Sequence, residues 1–360
     1  MNALGQRIAR LIQAQGPISI AQFMAVALHD PQNGYYATRD PFGRQGDFIT
    51  APEISQMFGE LLGLWIAQCW HDQKRPEARL VELGPGRGTL MRDALRVIAQ
   101  LMPEFLTKIE VVLVEASPTL TAIQKDALAK SGANIGWTAQ FDDSLANKPL
   151  FLLANEFFDA LPIRQFVKTE RGWCERMVVL NADGALDFAL TPEAVPSSLI
   201  PTHRDGAPTG AFYETAPGAT ALTQQIADII ARKGGAALIV DYGYGAQADF
   251  GETLQAVAAQ KYAKVLEMPG DADLSAHVDF AALADVARES GAKAYGPVGQ
   301  GELLEAIGIV QRAATLARGK LGSNPQIDGE LERLILPDQM GTLFKALAIM
   351  PVSAPTPPGF

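Results

Sequence analysis

The stretch Arg79-Leu80-Val81-Glu82-Leu83-Gly84-Pro85-Gly86-Arg87-Gly88-Thr89-Leu90 decides how the whole chain is read. An apolar strand, Arg79 to Gly84, runs through a tight glycine-rich turn into a helix predicted over Thr89 to Leu101. Glycine suits such a turn because the backbone must take positive φ and let a ligand come closer than any Cβ would permit. The helix behind it aims free N–H groups and a partial positive charge at an anionic group in the turn. The turn is therefore a ligand seat. A dinucleotide fingerprint reads G-x-G-x-x-G. Here the spacing is G-x-G-x-G, Thr89 follows Gly88, and the acid Glu82 lies just inside the strand.

Outward from the turn, short apolar runs alternate with helical patterns, the signature of a parallel sheet covered by helices. Ile109 to Glu115 is nearly all apolar and β-branched, as a strand buried on both faces should be. A helix from Pro118 to Lys130 precedes a weaker third strand near Asn134 to Thr138, and Pro149 to Asn155 supplies a fourth. Gly235 to Asp241 is the fifth; a helix from Phe280 to Ser290 leads to a sixth near Ala292 to Pro297, and Leu343 to Met350 closes the sheet as a seventh. The fold class is α/β: a seven-stranded, Rossmann-like sheet with helices on both faces.

Three segments break this rhythm. Residues 1–75 hold an amphipathic start (Leu4, Ile8, Leu11 and Ile12, with Arg7 and Arg10), a turn-rich stretch from Asp30 to Phe48 and a helix from Ile54 to about Trp70. Residues 161–216 carry a hairpin pattern, Gln165 to Thr169 and Trp173 to Leu180, then a proline-rich loop from Thr191 to Pro217. Gly301 to Pro337 reads as added helices. The division expected is an N-terminal extension, 1–75, covering the ligand seat at the glycine turn, and a core, 76–360, with substrate-side insertions at about 161–216 and 301–337.

Composition narrows the function. A hydrophobic share of 48% and a charged share of 19% describe an ordinary folded protein. The net charge of −10 argues against a nucleic-acid partner, whose phosphates draw affinity from clustered Lys and Arg. Cys69 and Cys174 lie far apart in apolar or aromatic settings and read as inert thiols of a reducing compartment. No apolar run reaches the ~18 residues of a membrane span, and no secretory signal pattern opens the chain. His29, His71, His203 and His277 show no metal-ligand spacing, so no metal site is expected. His277, ahead of a helix, reads equally as a capping residue or a general base.

The tight glycine spacing resembles motif I of the class I methyltransferases, in which the turn faces the methionine and ribose part of S-adenosylmethionine. On that reading Glu82, Gly84, Pro85, Gly86 and Gly88 hold the donor. Glu115, ending the second strand, stands where a carboxylate accepts both ribose hydroxyls in the crevice at the strands' carboxyl ends; capping of the helix after Ser117-Pro118 is the plainer role. Asp142 and Asp143 are candidates for the adenine amino group, or solvated loop acids.

Asn155-Glu156-Phe157-Phe158-Asp159-Ala160-Leu161-Pro162 follows the fourth strand, beside the reactive methyl in this fold class. Methyl transfer is an in-line displacement, so the loop must align a lone pair and exclude water. Asn155, Glu156 and Asp159, with two aromatics, suit a cationic acceptor; a guanidinium needs carboxylates to hold its fork of donors and take a proton. Asn155 as a helix cap with Phe157 and Phe158 in the core is the alternative. Asp241, in Val240-Asp241-Tyr242-Gly243, is a second candidate for that face, and its glycines suggest close backbone approach. In Gly46 to Ser55, Asp47, Thr50 and Glu53 precede a helix; capping explains one of them, and the loop is expected to cover the donor.

Taken together, the chain resembles the MidA-like family, whose mitochondrial members are the arginine methyltransferases that assist respiratory complex I assembly. The matching stretches are His29-Asp30-Pro31 with Gly34-Tyr35-Tyr36, Gly46 to Ser55, Val81 to Leu90, Asn155 to Pro162, Val240 to Gly243, and Ala272-Asp273-Leu274 with His277 to Phe280. The resemblance implies an S-adenosylmethionine cofactor and a protein arginine acceptor on a complex I subunit, with Gly84, Gly86, Gly88 and Glu115 at the donor and Asn155 and Glu156 at the reaction centre. Ala259-Gln260-Lys261 stands where more His and Arg is expected. With no mitochondrial targeting stretch evident, the chain reads as a bacterial cytoplasmic relative. Two rival readings are a nicotinamide-dinucleotide oxidoreductase and a non-catalytic complex I assembly factor that retains the donor pocket.

Overall fold

The computed structural model describes residues 1–38, 50–245, 251–318 and 324–360 of the 360-residue chain. Its centre is the sheet that the apolar runs require. The main strands are β1 (Ala78–Leu83), β2 (Ile109–Val114), β3 (Asn134–Thr138), β4 (Leu150–Asn155), β5 (Gly235–Tyr244), β6 (Lys293–Gly299) and β7 (Phe344–Met350). Their order across the sheet is β6-β7-β5-β4-β1-β2-β3, with the two-residue strand Val278–Asp279 paired to the far end of β5. β3, β2, β1, β4 and β5 run parallel, and β7 is antiparallel to β5. The order reverses between β1 and β4. A parallel sheet opens a crevice at such a switch point, beyond the carboxyl ends of its strands.

Both faces are covered, which is why β1, β2 and β4 are mostly apolar rather than alternating, with Arg79, Glu82, Glu110 and Asn155 the polar exceptions. One face buries the helices α1 (Gln56–Asp72) and α2 (Thr89–Leu101), with Met57, Trp65, Ile66 and Trp70 packed against Leu95, Ile98 and the sheet. The two helices meet closely because Gly63 has no side chain; a Cβ there would lie 2.6 Å from Ala94. The other face carries α3 (Pro217–Lys233) and α4 (Phe280–Glu289) over Val81, Leu152 and Ile239.

The insertions depart from expectation in instructive ways. The hairpin appears as Arg164–Thr169 and Gly172–Leu180, but the loop from Thr191 to Pro217 is not all loop: Phe212–Thr215 pairs with Arg164–Thr169. Leu186–Leu190 and the short strand Ile18–Ser19 flank Gly172–Leu180 on its two edges. Residues 1–38 thus pack with the insertion at 161–216, while α1 of the same N-terminal segment belongs to the central core. β5 also runs on past Asp241 to Tyr244, because Gly243 lets the Val278 backbone come close; a Cβ on Gly243 would stand 2.2 Å from the Val278 carbonyl oxygen. The added helices of 301–337 are Gln300–Ala306, Ile309–Arg318 and Pro325–Ile335. Ile309–Arg318 is tied down where Arg312, with Arg96 of α2, donates to the buried Glu60 of α1 at 2.6–2.8 Å.

Candidate functional site

The turn after β1 forms as its glycines demand. Gly84, Gly86 and Gly88 take φ of 59°, 52° and 78°, left-handed values that side chains resist. Gly84 lies open at the surface of a cleft, and Phe157 presses on it so closely that a Cβ would stand 2.7 Å from the ring. The cleft encloses about 390 Å³ of empty space, its solvent-open part included, and is lined by Thr50, Pro52, Glu53, Glu82, Gly84 to Arg87, Thr89, Leu90, Asn155 and Glu156. Of the residues expected at the donor and the reaction centre, Thr50, Glu53, Glu82, Gly84, Pro85, Gly86, Asn155 and Glu156 converge here from three distant parts of the chain.

Glu156 occupies the join between β4 and the following loop in a left-handed conformation, φ 50°. Such a conformation costs roughly 1 kcal/mol or more outside glycine and persists only when surroundings enforce it. Here the Glu156 backbone N–H donates to Val240 of β5, while its Oε1 accepts from the Ala51 N–H and from Asn155 Nδ2, both at 3.0 Å. Burial, opposed by those hydrogen bonds and helped by the charge of Asp159, pushes the Glu156 carboxyl up to about 7. Ala51–Ile54 forms one wall of the cleft, and the Thr89 hydroxyl donates to Glu53 Oε1 across it. Thr50 is the N-cap of this turn without a side-chain capping bond.

Glu82 is 3% exposed, and its carboxyl is pushed up to about 8 by burial and by the nearby charge of Glu115. Its Oε2, like Asn155 Oδ1, is buried with no hydrogen-bond partner among the described residues. Two orphaned acceptors on one cleft wall call for a donor-bearing ligand, since an unpaired buried acceptor costs about 1–3 kcal/mol.

Other candidates fall outside the cleft lining. Asp241 is fully buried behind the loop, where Oδ2 accepts from the N–H groups of Phe157, Phe158 and Asp159 and Oδ1 from that of Tyr242. Its oxygens are spent on the backbone N–H groups that shape the loop. Asp159 points the same way, hydrogen-bonded by the Tyr242 hydroxyl, and burial raises its carboxyl to about 6. Asp142 caps the short turn Asp143–Leu145 through Ser144 N–H at 2.9 Å. His277 stacks edge-on against Tyr242 in a separate cavity lined also by Phe158, Tyr213 and Asp279. Asp47 lies outside the described residues. Among those described, no group of three His, Cys, Asp or Glu stands ready to hold a metal ion, and no helix is long and apolar enough to cross a membrane.

Glu115 sits at the end of β2, its Oε1 taking the Ser117 N–H at 2.8 Å and its Oε2 the Gln124 amide at 3.0 Å. Gln124 escaped the sequence reading although it is fully buried and also donates to the Gly86 carbonyl at 2.8 Å. The available signal was a glutamine on the inward face of an amphipathic helix, where an apolar residue is the default.

Fold and cleft together define a class I methyltransferase. A family model for S-adenosyl-L-methionine-dependent methyltransferases matches residues 61–298, and the chain belongs to that family, the MidA-like methyltransferases. It is 39% identical to the mitochondrial protein arginine methyltransferase NDUFAF7 of Mus musculus over 94% of this chain and 82% of the relative, and 37% identical to that of Homo sapiens over 94% and 81%. A protein from Burkholderia thailandensis crystallised with S-adenosyl-homocysteine superposes with a TM-score of 0.85 at 27% identity, covering 99% of this chain and 94% of that one. The protein is thus an S-adenosylmethionine-dependent methyltransferase, and its residues fit the cofactor: the unpaired Glu82 and Asn155 oxygens would suit an N–H-bearing group, and the glycines leave room for one.

Proposed function

We propose that this enzyme methylates an arginine side chain of a protein. The observation that carries the reading is Glu156, a carboxylate held in the cleft at the end of β4 in a strained conformation by Ala51 and Asn155. The names of the mitochondrial relatives support it. Gly84, Pro85, Gly86, Gly88 and Glu82 hold the donor's methionine end, Glu115 its ribose, Asp142 its adenine, and Thr50 and Glu53 close over it, so that residues 50–54 of the 1–75 extension act as the cover. When bound, the cofactor supplies an electrophilic methyl group on a sulfonium.

The acceptor side falls to the loop after β4. Glu156 takes two N–H groups of the guanidinium and fixes one nitrogen toward the methyl, an orientation that removes much of the entropic barrier. A guanidinium stays protonated in water, so a nitrogen that gains a methyl must shed a proton, and Glu156 is the base in reach. A carboxyl at about 7 releases that proton again at neutral pH. Asn155 holds Glu156, while Asp241 and Asp159 keep the loop in shape. The insertions at about 161–216 and 301–337 form the substrate side.

The family resemblance points to a respiratory complex I subunit as acceptor and to a reducing compartment, the cytoplasm of a bacterium or the matrix of a mitochondrion. The test is to incubate the enzyme with tritiated S-adenosylmethionine and purified complex I, then hydrolyse the protein. Label in methylarginine is expected; label confined to another amino acid overturns the arginine assignment. A Glu156→Ala protein that still binds the client but no longer labels it sets catalysis apart from a pure assembly role.

A further inference from the structure

We propose that Gln124 is a positioning residue for the methyl donor, locking the glycine turn and the Glu115 carboxylate into one fixed relation so that the two ends of the donor are gripped as a unit. Gln124 lies on the helix Pro118–Leu128 and is 0% exposed. Its Nε2 donates to the Gly86 carbonyl at 2.8 Å and to Glu115 Oε2 at 3.0 Å, and its Oε1 accepts from the Trp137 indole N–H on β3 at 3.0 Å. Its Cγ also packs 3.5 Å from where a Cβ on Gly88 would stand. One side chain thus bridges the turn after β1, the acid after β2 and the face of β3.

The amide has a single workable orientation. An indole can only donate, so Oε1 must face Trp137, and both amide hydrogens are then aimed at two acceptors. Every polar atom of the buried group is used, which a residue serving only to fill space would not need; a leucine or methionine would fill the space without the desolvation cost. The consequence for Glu115 is specific. With Oε1 bound to Ser117, Oε2 to Gln124 and the Ala116 backbone N–H also donating to the group, the carboxylate cannot rotate. Its two oxygens are thereby held at one fixed spacing and orientation, as the recognition of a vicinal diol such as a ribose presents requires. The inference rests on donor binding alone and is independent of which acceptor is methylated.

The experiment is titration calorimetry of S-adenosylhomocysteine with wild type, Gln124→Met and Gln124→Glu, alongside the melting temperature of each protein without ligand. Affinity roughly tenfold to a hundredfold weaker is expected for Gln124→Met, with KM for S-adenosylmethionine raised and kcat near wild type, because hydrogen bonds to a charged partner are lost. Gln124→Glu, which can donate to neither partner and sets a second acid against Glu115, should bind more weakly still. Affinity kept within twofold in folded Gln124→Met, whatever its melting temperature, overturns the proposal. Should the Gln124 variants not fold, Trp137→Phe decides: it leaves the amide in place but frees it to turn, so a several-fold loss of affinity is expected, and an unchanged affinity overturns the proposal. A wild type that gives no heat would instead sink donor binding itself.

Discussion

The Oδ2 atom of Asp241 lies 2.9 Å from the backbone nitrogen of Phe158, with Phe157 and Asp159 donating to the same oxygen at 3.1 and 3.2 Å. A carboxylate buried within β5 thereby dictates the shape of the loop that follows β4, 82 to 84 residues away in the chain.

Asp241→Asn tests that relationship. An amide has one oxygen, so it can serve the three loop N–H groups only by setting its NH₂ against the Tyr242 N–H. A loss of about 1–3 kcal/mol is expected, read by urea unfolding, together with reduced methyl transfer as Glu156 loses its seat. Unchanged stability would show that the loop holds itself.

The pH profile of the reaction should report Glu156. Its carboxyl, raised by burial to about 7, must be ionised to hold a guanidinium, so activity rises with pH through that value. Glu156→Gln should lose both the rise and roughly a hundredfold or more of the rate. A wild-type rate that is flat from pH 6 to 8 would contradict the assignment.

Glu82 makes a separate prediction about stability in the absence of ligand. Its carboxyl is raised in the fold to about 8, by burial first and the Glu115 charge second, from an ordinary value of 4.5. A group raised on folding stabilises most below its unfolded value, and the benefit is lost as pH climbs to the folded one. The melting temperature of wild type should therefore fall relative to Glu82→Gln between about pH 4.5 and 8. Parallel curves for the two proteins would mean that Glu82 is not desolvated.

Gly86→Val addresses the turn directly. At φ 52° a β-branched side chain is strained wherever it points. Calorimetry with S-adenosylhomocysteine should give a clear heat for wild type and none for the variant; equal binding by both would remove the turn from the donor site.

What was legible in the sequence follows from the range of the forces involved. The helix Thr89–Leu101 and the strand Asn134–Thr138 match their expected bounds, and the other main strands differ by one to three residues at an end, because periodicity and glycine punctuation act within a few residues. Phe212–Thr215 was missed because a four-residue strand in a proline-rich stretch carries no alternation of its own and exists by pairing with Arg164–Thr169. Asp241 looked catalytic because a carboxylate at a strand end can face a ligand or a backbone turn, and nothing nearby in the chain tells the two apart.

The sequence alone determined the cradle: three alternating glycines in left-handed backbone, an acid one residue inside the strand, and buried apolar runs that can assemble only as a covered parallel sheet. Tertiary structure alone decided which side chains complete it. The Ala51 N–H reaches Glu156 across 105 residues, and Gln124 joins Gly86 to Glu115 from a helix whose pattern advertises only packing. Such partners are chosen by the demand that each buried donor and acceptor be matched in space, and that demand leaves no period in the chain.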